Sequence, residues 1–279
     1  MSDMSVLGLF AHPDDEQMMS GTFAQSAARG MRTGLICATR GEAGQIHPSV
    51  DATRENIGEV REAELRAAAV VCGIKDLWFL DYCDSGWFGT PDNEDPSSFN
   101  KADHDEALGR IVAIVRQFKP TIMATFDRRG GYGHLDHLMI HKLATEAFMA
   151  AADPQLYPEA GDPWQAARLY YATFSIEDMG QWREMLLQAD PDSDILQLDF
   201  SEFGSNKDEI THHVDVREWL AVKLRSLRSH RTQMADVERW SVLPEEMVAQ
   251  IQGMEHFILA AGIPAPDGPE AHKDLFAGL

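Results

Sequence analysis

Short apolar runs alternate with longer stretches of helical spacing through the first 150 residues, the pattern expected of successive parallel βαβ units. Val6–Ala11 reads as a first strand, Glu16–Arg29 as its helix with Gly30 as the stop, and Arg32–Thr39 as a second strand. Ile57, Val60, Leu65, Ala68 and Ala69 recur near helical spacing, which predicts a helix over Arg54–Val71 ended by Gly73. Leu77–Leu80 is the third strand. Tyr82–Lys101 is dense in Gly, Pro, Asp, Asn and Ser and predicts an irregular loop, of a length that usually carries function. A helix over Asp103–Phe118, a strand over Thr121–Phe126 and a helix over His134–Ala150 complete the series.

After Ala151 the pattern changes. A Pro-rich connection leads to a strand-like Arg168–Phe174, a helix near Glu177–Gln188, a strand over Thr211–Val216, a helical run over Arg217–Met234 and a final helix over Pro244–Ala261. The prediction is an α/β chain: a Rossmann-like, mostly parallel sheet with helices on both faces. It reads as one domain over 1–279, with the core in about 1–150 and a C-terminal elaboration over about 165–262.

Charge narrows the partners. Against 24 basic residues stand 45 acidic ones, a formal charge of -21, which repels nucleic acid and anionic membrane surfaces. No Lys or Arg precedes Arg29, and the early apolar run is too short for a signal-peptide core or a membrane span, so a cytoplasmic, soluble protein is expected. Cys37, Cys72 and Cys83 form no C-x-x-C pair and read as reduced core thiols. A homo-oligomer is compatible with the sequence.

Chemistry concentrates at one edge. In an open parallel sheet ligands bind beyond the carboxyl ends of the strands. The stretches that fall there are His12-Pro13-Asp14-Asp15-Glu16, "TRGEAG", "DYCDSG" and "DRRGGYGHLDH". One Asp or Pro suffices for a turn, so three carboxylates and a His after the first strand suggest a bound cation. His134 and His137 lie at i and i+3 on one helix face, so that one can ligate while the other faces substrate. With His12 and Asp15 they supply a His, Asp, His set with an open position. Each cluster alone has a plain reading, as helix cap or surface His pair; their meeting at one predicted edge favours the metal.

These stretches resemble the LmbE-like or PIG-L-like zinc N-deacetylases, through Ala11–Glu16 (AHPDDE), Thr39–Gly44 (TRGEAG), Arg61–Ala68 (REAELRAA), Asp84–Gly86 (DSG), Gly133–His137 (GHLDH) and Ser229–Gln233 (SHRTQ). Leu135, where the family very often has Pro, and Ala43 are the departures. The resemblance implies zinc, with ferrous iron as the alternative cofactor, bound by His12, Asp15 and His137. It implies Asp14 as general base, His134 beside the reacting carbonyl as a cation oriented by Asp136, and Arg61 and Asp84 on the substrate. The activity implied is hydrolysis of an N-acetyl group from an N-acetylglucosaminyl small molecule, in bacillithiol- or mycothiol-type thiol biosynthesis. The alternatives are an amidase cleaving thiol conjugates and a non-catalytic metal-binding protein. A nucleotide-binding module is disfavoured, since carboxylates replace the G-x-G-x-x-G turn.

Other polar residues are less specific. His141 reads as a core or surface His and Asp127 as either a partner that supports a metal ligand or a plain turn residue, while Arg40 and Glu42 either bind substrate or brace their loop. His212 and His213 are neighbours on a strand, so at most one faces the cleft. Lys223, Arg225, Arg228, His230 and Arg231 form the one basic concentration, a solvated face or a source of cations for an anionic substrate group.

Overall fold

The computed structural model describes residues 4–189, 191, 196, 203–233 and 245–279. Ser5–Phe10 (β1) is buried along its whole length, as a strand covered on both faces must be, and pairs in parallel with Arg32–Cys37 (β2) and Ile122–Phe126 (β4). Asp76–Phe79 (β3) extends the sheet beyond β2, and Arg168–Thr173 (β5) beyond β4, both in parallel. Ser20–Ala28 (α1) and Ile57–Cys72 (α2) pack together, as do His104–Phe118 (α3) and Leu135–Ala150 (α5), which follows the single helical turn Gly130–Gly133 (α4). The strand order β3-β2-β1-β4-β5 reverses direction between β1 and β4. Right-handed crossovers therefore put the two helix pairs on opposite faces and open a crevice at the β1 and β4 ends.

The C-terminal part departs from expectation. The run over Pro244–Ala261 divides: Glu245–Gln252 is helical, but Met254–Gly262 (β7) is a strand, antiparallel to β5. Gly253 separates the two, and a Cβ there would lie 2.2 Å from the Ala249 carbonyl oxygen. Its short apolar run fits a buried strand as well as a helix, and pairing decides between them. His212–Asp215 (β6) then pairs antiparallel with β7, so the sheet ends β5-β7-β6. Among the helices, Ile176–Ala189 (α6) precedes β6, Leu220–Leu227 (α7) follows it, and Glu245–Gln252 is α8. The helix expected over Arg217–Met234 reduces to α7 between two 3-10 turns, Arg217–Trp219 and Arg231–Gln233; Met234 and Pro244 lie outside the described residues. The helix expected from Glu16 likewise opens with a 3-10 turn, Asp15–Met18, before α1.

Buried charges fasten the irregular segments. Arg116 on α3 donates to six backbone carbonyls of the Pro-rich connection: Ala150, Ala151, Asp153, Leu156, Tyr157 and Gly161. Arg168 on β5 holds the C-terminal segment through Ile263, Pro264, Leu275 and Ala277. Lys223, expected on a basic surface, is buried and paired with Glu255 of β7 at 2.6 Å. Glu255 also accepts from the backbone N–H groups of Gly21 and Thr22, which have no partner inside the first turn of α1. Cys37 and Cys72 are buried thiols, but Cys83 is exposed, against the core reading for all three.

Replacing Arg116 by Met removes a cation that six carbonyls share. The expected loss is about 3 kcal/mol in urea unfolding, against about 0.5 kcal/mol or less for Arg110→Met, whose pair with Glu106 is exposed.

Candidate metal and active site

Two loops meet at the switch point. After β1 the Asp15 carboxylate accepts from the backbone N–H groups of Ala11 (3.1 Å) and His12 (2.7 Å), which fixes it beside the His12 ring. After β4 the chain turns through Gly130, whose carbonyl oxygen lies 3.0 Å from His137 Nδ1. A Cβ at residue 130 would stand 2.8 Å from that of His137, and φ there is +61°, so the loop requires glycine. The His137 ring stacks on Phe126, centroids 4.0 Å apart.

These contacts set the ring protons. A carbonyl only accepts, so His137 carries its proton on Nδ1 and leaves a lone pair on Nε2. His12 Nε2 faces the carboxylates of Asp136 (3.1 Å) and Asp84 (3.4 Å), so neutral His12 presents its lone pair on Nδ1. Yet His12 Nδ1 and His137 Nε2 face each other at 3.1 Å, and the Asp15 carboxylate spans the pair to complete a triangle of side chains, Oδ2 lying 3.4 Å from the first and Oδ1 3.3 Å from the second. Three acceptors this close are relieved by a proton or a metal cation among them. The edge of a tetrahedron with Zn–N bonds of 2.0–2.1 Å is about 3.3 Å, close to the 3.1 Å between the two nitrogens, so the residue types and the His–His spacing fit zinc, and a two-His, one-carboxylate set suits ferrous iron as well. Without one, burial opposes charge on His12, but Asp84, Asp136 and Asp15 together raise its pKa well above normal.

His134 is a different kind of group. It caps α5, its Nδ1 accepting the backbone N–H of Asp136 at 3.2 Å, which assigns the ring's proton to Nε2. Burial and the neighbouring His12 and His137 pull its pKa down to about 4, which favours a neutral ring that donates through Nε2 over the expected cation. Nor does the Asp136 carboxylate orient it. That side chain, fully buried, turns to His12 Nε2 and to the backbone N–H of Ser85 (2.9 Å), while its Oδ1 has no partner among the described residues. Asp136 thus orients the His12 ring.

Asp14 sits beside the triangle at φ 116°, a left-handed backbone costly for a residue with a side chain. Its N–H donates to Glu16 Oε2 at 3.0 Å and its carboxylate accepts from Gln233 Nε2. Burial, then the charge of Asp15, pushes its pKa up to about 8. Arg61 is buried beneath the "TRGEAG" loop: its Nη1 would be 2.4 Å from a Cβ on Gly41 and 2.2 Å from one on Gly44, and Nη2 donates to the Gln45 carbonyl. Asp84 accepts from Gly86 N–H at 2.8 Å, and its pKa is depressed by His12 despite burial.

A family model described as GlcNAc-PI de-N-acetylase (PIG-L) matches residues 7–148, the span that contains both loops. The 1D-myo-inositol 2-acetamido-2-deoxy-alpha-D-glucopyranoside deacetylase of Thermobispora bispora is 35% identical over 100% of both chains, and that of Thermobifida fusca 35% over 99% of this chain and 100% of its own. The chain belongs to the PIG-L family. Solved structures share the PIG-L fold at lower identity. The N,N'-diacetylchitobiose deacetylase from Pyrococcus horikoshii has TM-score 0.64 and 19% identity, covering 91% of this chain and 82% of that one. The 4-carboxy-2-hydroxymuconate hydratase GalB from Pseudomonas putida has TM-score 0.65 and 17% identity, covering 95% and 100%.

The sequence reading of this PIG-L site missed an aromatic wall. Tyr132 lies edge-on to His137, centroids 5.0 Å apart, and stacks between Trp87 and Phe203. The exposed Trp87 and Phe88 come from the long loop, which Asn93 pins through the carbonyls of Ser85, Gly86 and Trp87. Two large apolar side chains on a loop following Asp84-Ser85-Gly86 were the available signal. His141 instead hydrogen-bonds the Phe126 carbonyl, and Asp127 caps its own turn through the N–H groups of Arg129 and Gly131. Arg40 is paired with Glu62 and Asp81, and Glu42 accepts from Asp84 N–H, so both brace loops. His212 packs on Tyr170 and His213 on His256, neither near the triangle. His230 is buried against Glu16, and Arg225, Arg228 and Arg231 are exposed.

Zinc titration against a competing chelator should find one tight equivalent, lost in His137→Ala and kept in Asp14→Asn. Asp136→Asn should weaken it by about 10–100-fold, as removal of a partner that orients a ligand does.

Proposed function

We propose that this chain is a zinc-dependent deacetylase that hydrolyses the acetamide of an N-acetylglucosaminyl small molecule. The glucosaminyl-inositol named for its full-length relatives, in thiol biosynthesis of the mycothiol type, is the leading substrate. The observation that carries this reading is the pairing of an open His, Asp, His donor set with a neutral imidazole donor on one side and a raised carboxyl on the other. A purely metal-storing site has no use for the last two.

His12, Asp15 and His137 would hold the metal, which when bound polarises an amide carbonyl and acidifies water. Asp14, poised near neutrality, takes the proton of the attacking water and returns it to the departing amine. His134 donates its Nε2–H to the carbonyl oxygen as that oxygen gains charge; being neutral, it has one proton to share and none to lose. Arg61 and Asp84 face the sugar, in keeping with a buried Arg61 Nε that has no partner among the described residues. Acetate and the free amine are the products.

Incubation with 1D-myo-inositol 2-acetamido-2-deoxy-α-D-glucopyranoside should release primary amine and acetate in equal amounts. Asp14→Asn should lower kcat by about 10²–10⁴-fold with zinc retained, and His134→Ala by about 10²–10³-fold. Zinc-loaded protein that frees no amine from any N-acetylglucosaminide overturns the reading. Gln233→Ala frees the Asp14 carboxylate to wander; kcat should fall about tenfold or more, with KM and zinc content near wild type.

A further inference from the structure

His213 is left over from the motifs that the active site absorbs, and its surroundings repeat the logic of the metal triangle. It lies on β6 directly across from His256 on β7, the two Cα positions paired in antiparallel register, so both rings stand on one face of the sheet. Their Nδ1 atoms approach to 2.9 Å. The far nitrogen of His256, Nε2, lies 2.9 Å from Asp178 Oδ2 on α6, which holds the ring's proton there and turns the Nδ1 lone pair toward His213. The arrangement matches His12 and His137, whose facing nitrogens are 3.1 Å apart with a carboxylate on the far nitrogen of His12. A cavity of about 400 Å³ opens beside the pair, lined by both rings, Asp178, Lys207 and the thioethers of Met185 and Met254.

We propose that His213 and His256 form a second cation site, for a divalent transition metal of borderline softness such as Zn²⁺, Ni²⁺ or Cu²⁺. Imidazole nitrogens suit these ions, and the two Nδ1 atoms already stand at the separation of neighbouring ligands in a coordination sphere. Binding replaces the one proton the two nitrogens share, which passes to solvent, and water in the cavity fills the remaining positions. Asp178 keeps the His256 ring oriented and offsets the charge of Lys207. The site bridges β6, β7 and α6, at the opposite end of the sheet order from β3, and ties the C-terminal elaboration together without touching the catalytic loops.

The test is metal counting on the full chain by equilibrium dialysis with Zn²⁺ and Ni²⁺, each up to about 100 μM, followed by elemental analysis. Wild type should bind two equivalents, the second more weakly. His137→Ala should keep the weaker one, while His213→Gln and His256→Gln should lose it and keep the tight one. Asp178→Asn should weaken it by about 10–100-fold. Cu²⁺ bound to His137→Ala gives an independent reading, since its electron paramagnetic resonance spectrum should carry couplings to two imidazole nitrogens. One equivalent only in wild type, a second that survives the double His213→Gln, His256→Gln change, or a copper spectrum without those couplings overturns the proposal. None of these outcomes depends on turnover, so a failed deacetylation assay leaves the site testable.

Discussion

Two imidazole nitrogens facing each other across 3.1 Å, with a carboxylate against both, crowd their lone pairs in a buried site unless a proton or a metal cation joins them. Much of the surrounding structure keeps them in that position. The Gly130 carbonyl and the Asp136 carboxylate take the protons on the far sides of the rings, two backbone N–H groups aim Asp15, and Phe126 supports the face of His137. The reversal of strand order is what lets loops more than 100 residues apart share one crevice.

The catalytic edge also depends on the far end of the chain. Glu16, fully buried, accepts from His230 at 2.7 Å and from the backbone N–H of Asp14, and Gln233 reaches the Asp14 carboxylate. Thr232 in turn is anchored by Glu64 on α2. The left-handed backbone at Asp14 costs about 1–3 kcal/mol and persists because these groups hold it from both directions. His230 and Lys223 serve as buried counter-charges, while Arg225, Arg228 and Arg231 of the same basic segment face solvent.

Much of this was legible in the sequence. The parallel core has strong periodicity and clear stops, and its strands lie within a residue or two of their expected bounds. Both loops at the crevice carry residues too costly to place without a function. Asp84 and Arg61 reached the same region through their motifs. Illegible features were those set by partners distant in the chain. β7 resembles a helix until β5 and β6 pair with it, and Arg116 and Arg168 look like surface cations until the carbonyls they collect are seen. The partner of Asp136 was misjudged because sequence proximity favours His134, whereas the carboxylate points back across the crevice to His12.

Fold similarity extends equally to a sugar deacetylase and to a hydratase, so the scaffold alone names no reaction. What would distinguish a reaction on such a scaffold is where protons sit among the side chains of the crevice. Amide hydrolysis needs a base that also returns a proton to a poor leaving group, together with a donor that stays neutral while charge develops on oxygen. In the proposed reaction Asp14, with its pKa raised to about 8, and His134, with its pKa lowered to about 4, would divide those tasks, and the two shifts have separable causes. The carboxyl is raised by burial and by Asp15; the imidazole is lowered by burial and by two neighbouring rings. Because the same loss of water pushes an acid up and a base down, closing one crevice sets both groups for their parts in the proposed reaction.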